Sequence, residues 1–305
     1  MAPVDVRDRY PRLGPLERLD KIIQEIRPDR IVVAMTERRG RLPLEALLEC
    51  RAQGIVIEDG FELYERLTGQ LALESMTPGN VIFSRGFRTS RVARFAARAL
   101  SLAAAAAGLI VLTPLLLLIA LAIKFESRGP VLFLQERVGA GGHCFKLIKF
   151  RTMLPALGWT SEWVRDNADR ITGVGRLLRR YRLDELPQFV NILRGDMNLV
   201  GPRPHPASNR QLFADEIPYY RLRSMVRPGV TGWAQIRYGY ANDLAEEIEK
   251  MRYDLYYVKH MSLALDLRIL LDTVKVVLLG RVSRAPEIGR IETGVTRPTD
   301  ELRAA

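Results

Sequence analysis

The sequence predicts an α/β N-terminal fragment of the Rossmann-like kind, followed by a mainly α domain with a small β-hairpin and a re-entrant membrane helix. Short β-branched runs alternate with amphipathic segments before about residue 84, and an uncharged segment occupies Ala99–Ile123. Arg, Pro and Gly are frequent in the rest of the chain. We therefore expect four parts, residues 1–84, 85–128, 129–284 and 285–305, of which the last is a polar tail.

The first part has a β-α-β order. Leu16–Ile26 carries apolar residues at helical spacing, and Arg30–Met35 is a β-branched run of the kind buried in parallel sheets. A helix at Leu44–Ala52 and a strand at Gly54–Ile57 follow. The turn after the first strand lacks a GxGxxG pattern, so a structural or regulatory role is favoured over nucleotide binding.

Composition limits the partners. The chain has 46 Lys+Arg against 35 Asp+Glu, a net charge of +11, which favours an anionic partner such as acidic lipid, nucleotide phosphate or nucleic acid. Cys50 and Cys144 lack disulfide or zinc spacing, and the three histidines form no metal or triad signature. Met1–Arg12 is polar, so we expect no signal peptide there.

A basic stripe precedes the uncharged segment. Its arginines recur at three- and four-residue spacing, at Arg85, Arg88, Arg91, Arg94 and Arg98. On a helix they form one stripe suited to anionic headgroups, although a solvated helix face is the ordinary alternative. The uncharged segment that follows directly favours the membrane interpretation.

The uncharged segment, Ala99–Ile123, would reach roughly 37 Å as a straight helix, against a hydrocarbon core of about 30 Å. The segment is therefore long enough to span the membrane as a single straight helix. Pro114 near its middle favours a kink, and basic residues on both flanks favour one cytoplasmic side for both ends. We therefore prefer a re-entrant helix bent at Thr113-Pro114, with the Thr113 hydroxyl bonding a carbonyl freed by the proline.

Two further elements belong to the third part. Pro130–Leu134 and Phe145–Phe150 flank a glycine-rich turn at Gly139–Gly142, which predicts a β-hairpin. A late helix has a broad apolar face from Leu263 to Leu278 with basic residues nearby. Such a helix can lie in the headgroup plane or pack against the core, and the two roles are compatible.

Asp184 and Glu185 are adjacent acids that follow several arginines. Asp184 alone is compatible with a helix N-cap, because a helix is predicted through Phe189–Leu193. That role does not explain Glu185. Neighbouring residues on a helix point about 100° apart, so one carboxylate can face a phosphorus atom while the other takes a metal ion.

Two stiff loops follow this acidic pair. Arg203 lies between Pro202 and Pro204, which suits rigid presentation of a guanidinium to a phosphate, although a solvent-exposed turn arginine is the alternative. The second loop contains Trp233, whose ring is suited to stacking on a base or lying at the membrane interface. The sequence does not separate those two roles.

Six motifs occur in one order between about Arg85 and Gly280, and together they resemble the bacterial sugar transferases, the monotopic polyprenol-phosphate phosphoglycosyl transferases. They are QERVG at Gln135–Gly139, KFRTM at Lys149–Met153, LDELPQ at Leu183–Gln188, GDMNLVGPRP at Gly195–Pro204, RPGVTGWAQ at Arg227–Gln235 and YDLYYV at Tyr253–Val258. Thr113-Pro114 is similar to the family's Ser-Pro break. Residues 129–284 would then be the catalytic domain.

The resemblance implies a ping-pong reaction. Asp184 would attack the β-phosphorus of a UDP-sugar and release UMP, Glu185 would hold Mg²⁺ together with Asp184, and polyprenol phosphate would accept the phosphosugar. The family's basic positions fall on Lys149, Arg179 and Arg203 as phosphate-binding residues. It also implies an inner-membrane protein with its catalytic domain on the cytoplasmic face.

Three points are weaker. Asp254 matches a functional acid of the family, as a metal or substrate contact, although a helix-surface aspartate is the alternative. Arg137 is explained equally well by an ion pair with Glu136 or a headgroup contact. The sugar transferred is not encoded in the motifs, and a homo-oligomer stays open.

Two functions of other classes compete with this reading. One is a non-catalytic membrane adaptor of a polysaccharide assembly system. The other is a basic nucleic-acid binder, and the long apolar segment and the lack of a binding motif count against it. We therefore expect no nucleic-acid partner.

Overall fold

The structure is a computed structural model that describes residues 11–35, 38, 40–73, 76–83, 86–87, 90–154, 169–239, 241 and 243–279. Arg85, Arg88 and the polar tail lie outside these residues. The described helices are α1 (Leu19–Ile26), α2 (Leu44–Ala52), α3 (Gly60–Thr68), α4 (Pro78–Phe83), α5 (Arg91–Glu126), α6 (Gly173–Arg180), α7 (Gln188–Arg194), α8 (Arg210–Glu216), α9 (Trp233–Arg237), α10 (Leu244–His260) and α11 (Leu263–Leu279). The strands are β1 (Arg30–Val33), β2 (Val56–Asp59), β3 (Leu132–Val138), β4 (Cys144–Phe150), β5 (Asn198–Val200) and β6 (Gly229–Thr231).

The N-terminal β-α-β order is confirmed. β1 and β2 pair in parallel, with Arg30 opposite Val56, and α2 connects them. The second strand begins two residues later than predicted. Whether this unit is Rossmann-like stays a prediction, because the described sheet has two strands.

The prediction that the first strand is buried is wrong. Exposed and half-buried residues alternate along β1, and Val32 is 39% exposed. Parallel strands are buried when helices cover both faces of a sheet. The described part of this unit does not provide that cover, so its β-branched residues remain partly accessible.

The uncharged segment lies in α5, a continuous helix of 36 residues that contains Pro114. It is long and apolar enough to cross a membrane, and its central large side chains, such as Ile110 and Leu118, are exposed. In water such a surface would be costly. The structure therefore indicates membrane association, while the bend at Pro114 stays a prediction.

The Thr113 hydroxyl donates to the carbonyl of Leu109 at 2.5 Å. The carbonyl left without a helical donor by Pro114 belongs to Ile110, four residues before the proline. The Thr113 hydroxyl therefore bonds a helix carbonyl, but not the one freed by the proline, and the predicted partner is wrong. A threonine on a helix bonds back to its own i−4 carbonyl, which explains this choice.

The predicted hairpin is confirmed. β3 and β4 are antiparallel, with Phe133 opposite Lys149 and Val138 opposite Cys144. The Gly141 and Gly142 backbones have φ of 64° and 78° in the turn, a region that favours glycine. The hairpin thus places Lys149 on the same face as Phe133.

A second pairing was not predicted. β5 and β6, from the two stiff loops, run parallel, with Asn198 opposite Gly229. The chains approach so closely that a Cβ at Gly229 would lie 2.1 Å from the Gly201 backbone nitrogen. Three-residue strands carry too little alternation to be recognised in sequence. This pairing joins the two loops and fixes the segment that leads to Arg203.

The main core lies between α10, α11 and the segments that precede them. Tyr257, Leu255 and Ile269 are almost fully buried there, together with Leu71 and Leu73 from the end of the N-terminal part. α11 therefore packs on the core through Ile269, while Leu267 and Leu271 on its other side are exposed. The packing role is therefore confirmed, whereas a place in the headgroup plane stays a prediction for the exposed side.

Candidate active site

The acidic pair lies between two helices. Leu183–Glu185 forms a 3₁₀ turn after α6, and it follows Arg182, whose φ of 56° reverses the chain. α7 then begins at Gln188 with Pro187 as its N-cap residue. Asp184 is therefore not the N-cap of α7, and its carboxylate is not used to cap that helix.

The two carboxylates have different surroundings. Glu185 accepts a hydrogen bond from the Arg203 guanidinium at 3.0 Å and lies 3.5 Å from that of Arg182. Asp184 is 9% exposed, and within the described ranges its carboxylate has no hydrogen bond or ion pair. Glu185 is thus held in place, whereas both Asp184 oxygens are available to a ligand.

The pKa values of the pair move apart. Burial and the negative charge of Glu185 raise the pKa of Asp184, against the opposing effect of Lys149, Arg203 and Arg182. Burial also disfavours ionised Glu185, but the Arg203 and Arg182 guanidinium groups outweigh it and lower the pKa of that carboxyl. A carboxylate with a raised pKa is the more basic of the two and the better nucleophile.

Lys149 approaches the pair from β4. Its ammonium lies 5.0 Å from the centre of the Phe133 ring, on the opposite strand of the hairpin. Burial and the nearby charges of Arg137 and Arg203 lower its pKa to about 8, although Asp184 and Glu185 oppose the shift. The group therefore carries its charge at neutral pH and loses it on mild alkalinisation.

Asn191 fixes β4 relative to the acidic pair. This fully buried α7 residue accepts a hydrogen bond from the Ile148 backbone N–H at 3.0 Å and donates to the Lys146 carbonyl at 2.8 Å. Lys146 and Ile148 lie on β4 just before Lys149, so this contact also fixes the position of Lys149. Sequence reasoning missed this contact, since an asparagine in an amphipathic helix gives no signal of its partner.

Arg179 lies beside the site, on α6. Its guanidinium donates to the Thr152 hydroxyl at 2.9 Å, just after β4. The main positive charges that lower the pKa of Asp184 are those of Lys149, Arg203 and Arg182. Lys149 and Arg203 thus act on the carboxylates, whereas a phosphate-binding role for Arg179 stays a prediction.

Asp254 lies behind the site. It is 1% exposed and accepts a hydrogen bond at 2.8 Å from the Nε–H of Arg223, which also donates to the backbone carbonyl of Arg203. The alternative of a helix-surface aspartate is therefore wrong. The predicted contact of Asp254 with metal or substrate stays untested, because the residue reaches Arg203 through Arg223.

Two more predicted roles are resolved differently. Arg137 donates to the Pro204 carbonyl at 2.9 Å, so it supports the Arg203 loop. Trp233 is 4% exposed and donates to the Gly69 carbonyl at 2.8 Å. Because its ring is enclosed by protein, the indole neither stacks on a base nor lies at a membrane interface. It joins the end of α3 to the main core.

The basic stripe is also divided in two. Arg91 and Arg94 are exposed, as headgroup ligands would be, but Arg98 donates to the carbonyls of Ile192 and Met197 at 2.8 and 2.9 Å. The Ile192 carbonyl lies in the last turn of α7, and the Met197 carbonyl lies just before β5. Arg98 therefore anchors α5 to the active-site helix.

The donor set is compatible with Mg²⁺. This cation prefers one or two carboxylates together with phosphate oxygens, and Asp184 and Glu185 are consecutive carboxylates with free oxygens on Asp184. Among the residues that the structure describes, no group of three or more His, Cys, Asp or Glu side chains is placed to hold a metal without a substrate. The two carboxylates therefore suit a metal ion that is also bound by phosphate oxygens of a substrate.

Known proteins resemble this chain across these elements. The family model described as bacterial sugar transferase matches residues 92–280. A relative from Caulobacter vibrioides, described as UDP-glucose:undecaprenyl-phosphate glucose-1-phosphate transferase, is 46% identical over 186 residues, which cover 59% of this chain and 69% of the relative. An exopolysaccharide production protein, PSS, from Rhizobium leguminosarum bv. phaseoli is 41% identical over 185 residues, 58% of this chain and 92% of the relative.

A longer match includes the N-terminal part. A relative from Aeromonas hydrophila, described as UDP-N-acetylgalactosamine-undecaprenyl-phosphate N-acetylgalactosaminephosphotransferase, is 36% identical over 271 residues. These cover 88% of this chain but 61% of the relative, so the chain spans less than two thirds of that protein's length. The residues matched by the family model, 92–280, include the acidic pair, Lys149 and Arg203 and make up more than half of the chain, which therefore belongs to the bacterial sugar transferase family.

Proposed function

We propose that this protein transfers a sugar 1-phosphate from a UDP-sugar to undecaprenyl phosphate, releases UMP and so initiates the synthesis of an exopolysaccharide or glycoconjugate. The observation that carries the proposal is the division between the two carboxylates. Glu185 is fixed by arginines, whereas Asp184 is buried among positive charges with both oxygens available. The printed activities of the Caulobacter and Aeromonas relatives support the same substrate class.

In the first step, a carboxylate oxygen of Asp184 attacks the β-phosphorus of the UDP-sugar. The bond between that phosphorus and the oxygen that bridges the two phosphates breaks, and its electron pair leaves with UMP. Asp184 then carries the sugar phosphate as an acyl phosphate. A carboxylate suits this role because it is displaced easily from phosphorus, which divides one difficult displacement into two.

In the second step, a phosphate oxygen of undecaprenyl phosphate attacks the same phosphorus. The bond to Asp184 breaks, its electron pair returns to the carboxylate, and the product is a polyprenyl diphosphate sugar. Both nucleophiles are already anions, so neither step needs a base to remove a proton. This agrees with a site made of carboxylates and cations.

The cations have distinct tasks in this scheme. The positive charges of Lys149 and Arg203 both act on Asp184, and these two residues would neutralise the donor's phosphates. Arg179, which lies by Thr152, would bind a phosphate of donor or acceptor. Asp184 and Glu185 would hold Mg²⁺, which supplies positive charge to the diphosphate.

We infer that α5 enters and leaves the membrane by one leaflet. Before Pro114, Arg98 and Ser101 bond to the segment from α7 to β5, with the Leu199 backbone N–H donating to the Ser101 hydroxyl at 3.0 Å. After Pro114, the Glu126 carboxylate accepts from the Val174 backbone N–H at 3.0 Å. Because both ends of the helix bond to the same domain, a bilayer between them is disfavoured.

The inner membrane, with the catalytic domain on its cytoplasmic face, fits this arrangement. Nucleotide sugars are cytoplasmic metabolites, and the basic residues on both flanks of α5 favour that side. Exposed Arg91 and Arg94 would bind anionic headgroups there. We assign the N-terminal β-α-β unit a Rossmann-like fold and a structural or regulatory role.

The test is UMP release from a panel of UDP-sugars by the purified protein in the presence of undecaprenyl phosphate. Asp184→Asn should lower the rate at least about 1,000-fold, because the amide is not a nucleophile. Asp215→Asn is the matched control, since Asp215 lies on α8 and bonds only Gln211 among the contacts described for it. It should retain activity within about twofold.

If the wild-type protein releases no UMP from any UDP-sugar, or if Asp184→Asn retains full activity, the proposal is wrong. The first result would favour a non-catalytic membrane adaptor. The second would assign the nucleophile to another residue.

A further inference from the structure

The backbone that presents Arg203 is fixed at every carbonyl from residue 202 to residue 205. The Gly229 backbone N–H donates to the Pro202 carbonyl at 3.0 Å, and the Val138 backbone N–H donates to that of His205 at 2.9 Å. Arg137 holds the Pro204 carbonyl at 2.9 Å. The remaining carbonyl, that of Arg203 itself, accepts a hydrogen bond from the Arg223 guanidinium.

Arg223 is buried and held from the other side by Asp254. Its Nε–H donates to the Asp254 carboxylate at 2.8 Å, and its Nη2 reaches the Arg203 carbonyl. The Arg223 guanidinium is planar and donates from two of its nitrogens, so its two partners fix both its place and its orientation. The chain of contacts therefore runs from Asp254 through Arg223 to Arg203 and on to Glu185.

We propose that Arg223 is a positioning residue for Arg203, and that Asp254 acts on the reaction through Arg223 and touches neither substrate nor metal. The inference rests on the proposed function, in which Arg203 binds a donor phosphate. Without Arg223, the Arg203 carbonyl loses its buried hydrogen-bond donor. The backbone that carries the Arg203 guanidinium is then held less firmly. Phosphate binding then requires ordering of the loop first.

A direct role for Arg223 is the competing explanation. The residue lines a small cavity together with Pro202, Pro204 and Tyr220. A ligand group in this cavity would contact Arg223 itself. The two explanations differ in whether the effect of Arg223 depends on the presence of Arg203.

A double-mutant cycle on UDP binding separates them. We expect Arg203→Ala to weaken UDP binding about 30-fold, in the range for charged hydrogen bonds. Arg223→Lys should weaken it about 5- to 10-fold, because a single ammonium cannot reproduce the geometry of both guanidinium hydrogen bonds. In the Arg203→Ala background, Arg223→Lys should change UDP binding less than about twofold. Arg210→Lys is the matched control, since Arg210 also donates to a backbone carbonyl, that of Gly142, on the exposed surface.

An undiminished effect of Arg223→Lys in the Arg203→Ala background would overturn the proposal and favour direct contact. The melting temperature of each variant is measured in parallel. If Arg223→Lys does not fold, Asp254→Asn replaces it in the same cycle, because that change keeps the guanidinium and removes its anchor. UDP binding is scored separately from UMP release, so wild-type protein that binds UDP without turnover contradicts the proposed reaction and leaves this inference testable.

The role of Asp254 has its own measurement. In Asp254→Asn, the Mg²⁺ concentration that gives half-maximal UMP release should stay within about twofold of wild type, while the KM for the UDP-sugar rises. Glu185→Gln is the comparison and should raise the Mg²⁺ requirement at least about tenfold. An equally large rise in Asp254→Asn would show that Asp254 contacts the metal and would overturn its placement behind Arg223.

Discussion

At the residue scale, two adjacent carboxylates are given different chemical properties by their neighbours. Arg203 and Arg182 neutralise Glu185 and hold it ionised, whereas burial and the charge of Glu185 make Asp184 more basic. The asymmetry follows from backbone geometry, because consecutive residues of a 3₁₀ turn point in different directions. One acid is thereby fixed, and the other can react.

Lys149 gives this site an alkaline limit. Its lowered pKa, about 8, means that its positive charge is present below that pH and is lost above it. We predict that kcat/KM for the UDP-sugar falls as pH rises through about 8, since a neutral amine no longer balances the phosphate charge. The pH profile of UMP release measures this fall.

Lys149→Arg should move the alkaline fall to higher pH, because a guanidinium stays protonated throughout this range. Lys146→Arg, at an exposed position on the same strand, is the control and should leave the profile unchanged. A profile that Lys149→Arg does not shift would remove Lys149 from phosphate binding.

At the element scale, α5 is tied to the catalytic domain on both sides of Pro114. We predict that cysteines placed at Val92 and Phe125, which are 77% and 86% exposed, react with a membrane-impermeant reagent from the same side of the membrane. The background lacks Cys144, the exposed native thiol. Labelling in sealed right-side-out and inverted vesicles reports the side, and labelling from opposite sides would establish a full span.

The β5–β6 pairing predicts a strong dependence on glycine. In Gly229→Ala, the new Cβ would lie 2.1 Å from the Gly201 nitrogen and 2.5 Å from the Thr231 carbonyl oxygen, both backbone atoms that cannot move aside. We expect a loss of about 3 kcal/mol, which corresponds to a fall in Tm of roughly 6–12 °C. The phosphate affinity contributed by Arg203 should fall together with the stability.

Gly79→Ala is the control for that prediction. Its Cβ would meet the Thr77 hydroxyl at 3.6 Å, an ordinary contact, so Tm should change by less than about 2 °C. Equal effects of the two substitutions would mean that the close approach of β5 and β6 is not maintained in solution.

At the scale of the whole molecule, the N-terminal part is joined to the catalytic domain at α10. Glu65 on α3 forms an ion pair with Lys259 at 2.6 Å and lies 3.3 Å from the His260 Nε2, and Trp233 donates to the Gly69 carbonyl. α10 also carries Asp254. The same helix therefore supports the N-terminal unit at one end and the Arg203 loop further along.

Trp233→Phe should lower Tm while leaving the chemistry intact. The change removes the indole donor and leaves the buried Gly69 carbonyl unpaired, at a cost of about 1–3 kcal/mol. Intrinsic UMP release per folded molecule should stay within about threefold, because Trp233 touches no proposed substrate group. A loss of turnover at full stability would instead indicate that the N-terminal contact controls the site.

The sequence predicted the elements that carry strong local signals. The uncharged segment, the glycine turn between β3 and β4, and the proline that precedes the helix at Leu44–Ala52 were recognisable, because each depends on residues close in the chain. Asp184, Glu185, Lys149 and Arg203 were assigned from motifs, and the structure brings these four together.

The remainder depends on partners far apart in sequence. Arg223 lies in a stretch without a motif, and its partners Arg203 and Asp254 are 20 and 31 residues away. Trp233 was read as a surface aromatic because nothing local shows that Gly69 lies beside it. Burial of β1 was expected from composition alone, yet exposure depends on what covers the sheet.

The covalent bond between Asp184 and phosphorus is tested most directly by trapping the intermediate. Purified protein is incubated with a UDP-sugar without undecaprenyl phosphate, quenched and analysed by mass spectrometry of its peptides. We expect the mass of one sugar phosphate on the peptide that contains Asp184, with about one equivalent of UMP released per site, and neither signal in Asp184→Asn. UMP release that requires the acceptor, with no mass added to that peptide, would contradict the mechanism.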